Sequence, residues 1–302
     1  MDEAAKGKTM KDFLFFNYSW VPNSTLYFQS FIDAGYDCEI VTELNLTSWQ
    51  PTSEYKVVVV YLHDSNHLPI INHWLDHSPF LKDSFLMQHD TTDFQDVQHW
   101  TNRKPDLVMQ RELFEGTKNP RCVPVEPFHF PIPSMYDSSY EQTNDVMFYG
   151  CMTNDIRRPF TEKILELSTG SLKHLKWDIK VTGNGERTPE EYKKAISQCK
   201  IGLHYFGNSR DSIRIWETAG TKAAIIMPKL RMKSTSEGYM PFTEYEPIHD
   251  DFADLEEKIL YVLGNDRWKD LGERSFEAFE TRHSPEHCFK YYHEKVRGYI
   301  ND

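Results

Sequence analysis

The run from Ile201 to Pro228 sets an apolar strand, a polar loop, a short helix and a second apolar strand in a row, and three of its residues could hold a nucleotide: Arg210, Arg214 and Glu217. A helix opening near Asp211 or Ser212 turns free backbone N–H groups and a positive dipole end toward anything bound there. Arg214 adds a planar guanidinium whose paired donors suit a diphosphate. Glu217 lies three residues on, on the same helical face. A carboxylate there is placed to accept hydrogen bonds from two vicinal ribose hydroxyls. The plainer alternative is a helix-surface ion pair between Arg214 and Glu217.

A second candidate anion site lies in Asp145-Val-Met-Phe-Tyr-Gly150-Cys-Met-Thr-Asn-Asp-Ile-Arg157-Arg158-Pro159. A strand that ends in Gly150 lets the backbone approach a ligand, and the arginines precede a helix start that favours anions. Arg157 is preferred to Arg158, which Pro159 constrains. A solvated arginine pair beside Asp155 is the alternative. Gly183, in Thr182-Gly-Asn-Gly-Glu186, marks a tight turn after another strand, but a dinucleotide fingerprint Gly-x-Gly-x-x-Gly occurs nowhere, which argues against an oxidoreductase.

Taken together, "SIRIWETAGTKAAIIMP" resembles the nucleotide-sugar site of GT-B glycosyltransferases, especially the CgeB-like and exostosin-type donor domains, in which Arg-x-x-Glu opens a helix before a buried strand. The resemblance covers roughly Asp145 to Tyr299 and the first half only in outline. It implies an α/β GT-B fold, two Rossmann-like doubly wound domains facing a cleft, with residues 1–130 binding the acceptor and residues 131–302 binding the nucleotide sugar. It also implies that the last helix packs back on the first domain, that Arg157, Arg214 and Arg210 neutralise the diphosphate, that Glu217 holds ribose, and that Gly183 lies near the base. In the commonest retaining members a second glutamate precedes the one at Glu217 by eight residues. Here Ser209 stands in its place. The resemblance then points to inversion, in which a carboxylate of the N-terminal domain deprotonates the acceptor hydroxyl. Candidates at strand ends are Asp90 first, Asp64 second and Asp93 third, each of which could instead cap the following helix.

The expected donor is a nucleotide diphosphate sugar, with UDP favoured as carrier, and the expected acceptor is a glycan or another hydroxyl. No resident cofactor is expected. Nor is a metal: Asp-x-Asp is absent, and His63-x-x-x-His67 and His73-x-x-x-His77 lack the glutamate of His-Glu-x-x-His. Two other readings stay open, a nucleotide-sugar epimerase of the same architecture and a non-catalytic sugar-nucleotide or glycan-binding protein.

Composition bounds these readings. With a formal net charge of −12 over 302 residues, the chain lacks the basic surplus of a nucleic-acid binder, so an anionic ligand must meet a local basic site. Five scattered cysteines without Cys-x-x-Cys argue against a disulfide framework or a zinc–thiolate site. The polar N-terminal stretch reads as neither leader nor anchor, and no run of 18 apolar residues follows, so the expected location is cytoplasmic. Peripheral contact with a membrane stays open.

The elements that must position these groups alternate. Strands are expected at 12–17, 36–42, 55–62, 84–88 and 106–110 with helices at 24–34 and 68–75. A proline-rich connection covers 119–137. Strands near 145–150, 177–182, 200–206 and 223–228 then alternate with helices near 157–167, 189–198 and 213–220. Three helices, 254–263, 266–281 and 285–299, follow. Such alternation implies mostly parallel sheets covered on both faces.

Overall fold

The structure, a computed structural model, describes residues 10–18, 23–42, 44–62, 67–90, 101–110, 125–127, 136–150, 157–181, 187–206, 212–231 and 242–297. The chain divides into two compact units, Met1–Phe128 with Phe289–Asp302, and His129–Cys288.

In the first unit, β1 (Met10–Tyr18), α1 (Asn23–Asp33), β2 (Cys38–Thr42), β3 (Glu54–Leu62), α2 (Leu68–His77), β4 (Phe85–Asp90), β5 (Leu107–Gln110) and β6 (Val125–Pro127) follow in order. They build one sheet, β2-β1-β3-β4-β5-β6, with every described pairing parallel. All four consecutive valines of β3, Val57 to Val60, are buried. Successive strand side chains face opposite ways, so a fully buried run means that both faces of the sheet are covered. One face packs Leu14, Phe16, Val58 and Val60 against Ile71 and Leu75 of α2. The other carries stacked and edge-on aromatic rings, Phe13, Phe15, Phe28 and Phe31.

Two boundaries depart from the sequence-based expectation. Within the proline-rich connection, Val125–Pro127 pairs with β5 as a sixth strand. Proline is tolerated there because an edge strand needs donors on one side only. The strand expected to stop at residue 88 runs on to Asp90, because His89 is itself buried and sets its ring edge-on to Tyr61 at 4.6 Å.

The second unit runs β7 (Asn144–Gly150), α3 (Arg157–Thr169), β8 (Trp177–Val181), α4 (Pro189–Ser197), β9 (Cys199–Leu203), α5 (Ile213–Ala219), β10 (Ala224–Pro228), β11 (Glu246–Ile248), α6 (Leu255–Leu263) and α7 (Arg267–Ala278), and α8 (Pro285–Arg297) begins in it and belongs to the first unit from Phe289 on. Its parallel sheet is ordered β11-β10-β9-β7-β8. The core joins Val146, Phe148, Ile201, Leu203, Ala224 and Ile226 to Phe160, Ile164 and Leu167 of α3. The helix expected at 266–281 starts at Arg267, after the positive φ of Asn265 and Asp266, and continues from Phe279 to His283 as a π-helical turn. Within α8, His293 of the first unit sets its ring against Phe31 and Tyr36. No helix among the described residues is long and apolar enough to cross a membrane.

Candidate functional site

The order β11-β10-β9-β7-β8 places a topological switch between β7 and β9, since the chain leaves β7 toward β8 on one side and returns to β9 on the other. In open parallel sheets the crevice outside the strand carboxyl ends at such a point is where ligands bind. A pocket lies there, and its lining includes Gly150 at the end of β7, Arg157 at the start of α3, His204 just after β9, and Ser212 and Arg214 at the start of α5. No carboxylate is among its described lining residues.

Each side chain is held from its own element. Arg157 donates through Nε to the carbonyl oxygen of Phe206 at 3.2 Å. One turn along α3, Phe160 stacks on Tyr205 at 4.6 Å, which ties the helix start to the segment after β9. Arg214 donates through Nη1 to the carbonyl oxygen of Tyr149 at 2.8 Å, so the guanidinium crosses from α5 to the end of β7. Among the described residues the other donors of its fork make no hydrogen bond, which suits them to an anion. Gly150 serves packing as well as approach, because an added Cβ would stand 2.5 Å from Cζ of Phe148.

Glu217 is placed differently from the expectation of a carboxylate open to ribose. It is 3% exposed, does not line the pocket, and accepts a hydrogen bond from the Tyr192 hydroxyl at 2.7 Å. Tyr192 is brought there by α4, whose start is fixed by a reciprocal cap: Glu191 N–H donates to Thr188 Oγ1 and Thr188 N–H to Glu191 Oε2. The surface ion pair is not formed either. Arg214 instead stands 5.8 Å above the Tyr192 ring while Glu217 holds that residue's hydroxyl. Burial pushes the Glu217 carboxyl up to about 7, against the Tyr192 hydrogen bond and the Arg214 charge, which favour ionisation.

His204, which the spacing of motifs did not single out, is 7% exposed. Burial first, then the charges of Arg214 and Arg157, hold its imidazole down to about 3, so the ring is neutral. Its one sequence signal is a titratable residue directly after the apolar run Ile201–Leu203.

Asp90 is the last residue of β4, aligned with Leu62 of β3 and Gln110 of β5. Asp64, Asp93, Gly183 and Arg210 lie outside the described residues. Among the described residues, no group of three or more histidine, cysteine, aspartate or glutamate side chains could hold a metal ion.

With this geometry in place, three solved structures bear on the fold. Sucrose-phosphate synthase from Thermosynechococcus elongatus aligns with a TM-score of 0.61 at 8% identity over 96% of this chain and 99% of that one. HepE of Anabaena, in complex with UDP and glucose, aligns at 0.54 and 10% identity over 95% and 100%. The fold is GT-B. Pneumococcal O-GlcNAc transferase GtfA, in complex with UDP and GlcNAc, aligns at 0.52 and 12% identity over 82% of this chain. The chain spans 58% of the length of that GtfA chain and 60% of the chain matched in the GtfA/B complex. By sequence, residues 157–294 of this GT-B chain match the family described as glycosyl transferase-like, a span that opens on Arg157 and contains Arg214 and Glu217. No curated protein matches the sequence significantly.

Proposed function

We propose that the protein is a glycosyltransferase that moves a sugar from a UDP-sugar to a hydroxyl of a glycan or related acceptor, with inversion and without a metal. The observation that carries this reading is the pocket at the β7–β9 switch point, lined by Arg157 and Arg214 with no carboxylate among its described lining residues. On a chain of net charge −12 such a pocket is a local exception, and its chemistry is that of an anion with several oxygens. The matched family span supports a glycosyl transferase-like role for this half, and the UDP held by HepE and by GtfA supports the choice of carrier.

In the proposed reaction a carboxylate takes the proton of the acceptor hydroxyl as its oxygen attacks the anomeric carbon. The bond from that carbon to the β-phosphate oxygen breaks, and UDP leaves with the electron pair. Arg157 and Arg214 stabilise the charge that grows on the diphosphate, a role in which preorganised donors act with little reorganisation. Arg210 falls in the sequence between β9 and α5 and Gly183 in that between β8 and α4, both outside the described residues, and the proposal keeps them at the diphosphate and the base. Asp90 is the proposed base, with Asp64 and Asp93 as the other candidates. Glu217, buried on the Tyr192 hydroxyl and absent from the pocket lining, is given no ribose contact in this proposal.

A calorimetric screen of UDP, GDP and CMP, with and without EDTA, tests the donor site. UDP binding that is unchanged by chelator is the expected result. Failure of all three to bind would overturn the donor-site reading, and loss of UDP binding in EDTA would overturn metal independence.

A further inference from the structure

The hydrogen bonds around His204 settle which of its nitrogens carries the proton. Its Nε2 lies 2.8 Å from Thr218 Oγ1, and the same hydroxyl donates to the carbonyl oxygen of Arg214 at 2.8 Å. A hydroxyl has one proton and a carbonyl oxygen only accepts, so both bonds form together only when Thr218 donates to Arg214 and the imidazole donates to Thr218. The imidazole must therefore donate through Nε2, which leaves the lone pair on Nδ1. Gly202 makes room for this lock, because a Cβ there would stand 2.7 Å from Thr218 Cγ2 and 3.2 Å from His204 Nε2.

Nδ1 has no hydrogen-bond partner among the described residues, and His204 is one of the residues lining the pocket between β7 and β9. The pocket thus offers two kinds of contact side by side. Arg157 and Arg214 call for anionic oxygens, while Nδ1 calls for a proton donor. A diphosphate with ionised oxygens presents only lone pairs to Nδ1 and leaves that contact unmade. A sugar joined to the diphosphate carries hydroxyl protons next to those oxygens.

We propose that His204 is a specificity-determining residue of the donor site, whose Nδ1 accepts a hydrogen bond from a hydroxyl of the sugar carried on the diphosphate. The inference rests on the reading of this pocket as a diphosphate-sugar site. It adds that the pocket distinguishes the loaded donor from the bare nucleotide, through a neutral acceptor rather than through charge.

Calorimetric titration of the full chain with UDP and with UDP-glucose, in wild type, His204→Gln and His204→Asn, tests it. The glutamine amide nitrogen reaches the place of Nε2, keeps donation to Thr218 and leaves nothing at Nδ1. The asparagine carbonyl oxygen stands near Nδ1 and gives up the Thr218 bond. Loss of one neutral hydrogen bond in His204→Gln is expected to raise the ratio of the UDP-glucose Kd to the UDP Kd by about 3–10-fold, with His204→Asn staying within about twofold of wild type. An unchanged ratio in His204→Gln, or an equal rise in both variants, would overturn the assignment. If His204→Gln fails to fold, NMR of the imidazole nitrogens in the wild type decides: a proton on Nδ1 with UDP-glucose bound overturns the proposal, whereas a proton on Nε2 alone, with the ratio kept in His204→Asn, upholds it. Wild type that binds neither ligand would instead overturn the underlying donor-site reading.

Discussion

The Tyr192 hydroxyl donates to the Glu217 carboxylate across 2.7 Å in the interior of the second unit, with both side chains buried and Arg214 above the tyrosine ring. A carboxylate in that position responds to pH in a direction opposite to that of an ordinary ion-paired acid. Burial raises the folded-state pKa from 4.5 to about 7, so the folded protein holds a proton that the unfolded chain releases. The stability this contributes is fully present below pH 4.5 and is lost as pH rises through about 7. At 1.36 kcal/mol per unit the whole effect is on the order of 3 kcal/mol. Glu217→Gln should flatten this part of the pH dependence, with urea unfolding at pH 5, 7 and 8 as the measurement. A variant with the wild-type pH slope would show that the carboxylate does not titrate in this range.

Tyr192→Phe removes the partner and leaves the carboxylate in place. The expected cost is about 1–3 kcal/mol, the penalty for a buried acceptor without its donor. Because the lost hydrogen bond favoured ionisation, the Glu217 pKa should rise further, and the loss of stability with pH should move upward. Denaturation midpoints across pH 5 to 9 check both effects; a variant as stable as wild type at pH 8 would argue that the pair contributes nothing.

Arg214→Lys keeps the charge but loses the planar fork that meets Tyr149 on one side and the pocket on the other. UDP affinity should fall about 10–100-fold, the equivalent of one or two charge-assisted hydrogen bonds. Calorimetry reads it directly. Undiminished affinity would remove Arg214 from the diphosphate site.

Asp90→Asn should abolish most sugar transfer, by about 10²–10⁴-fold, while UDP affinity and melting temperature stay near wild type, since a general base acts on the acceptor hydroxyl. Asp64→Asn is the comparison, two residues beyond Leu62, the β3 residue with which Asp90 is in register. Transfer retained in the first variant and lost in the second would move the base by one strand. NMR of the initial product gives an independent check, because a sugar that keeps the anomeric configuration of its donor contradicts inversion whichever variant is active.

The alternation of apolar runs and polar loops made both parallel sheets legible in the sequence, and Gly150, Arg157 and Arg214 could be singled out because a strand end or helix start gives such residues one obvious use. What stayed hidden depends on partners distant along the chain. Helical spacing placed Glu217 on the face of Arg214, but the direction of its carboxylate is decided by Tyr192 on another helix. His204 reads as any polar residue after a strand until Thr218 fixes its proton. Prolines masked β6, since a three-residue edge strand has too little pattern to outweigh them.

The aromatic packing of His293 against Phe31 and Tyr36 orders events during synthesis. Residues of the first unit leave the ribosome before any of the second, yet that unit also includes Phe289–Asp302, made after the whole of the other. The unit that begins first is therefore completed last. A ribosome halted before α8 would carry a first unit in which Phe31 of α1 and Tyr36 before β2 still lack one ring neighbour, with apolar surface exposed to chaperones for the time it takes to translate the second unit.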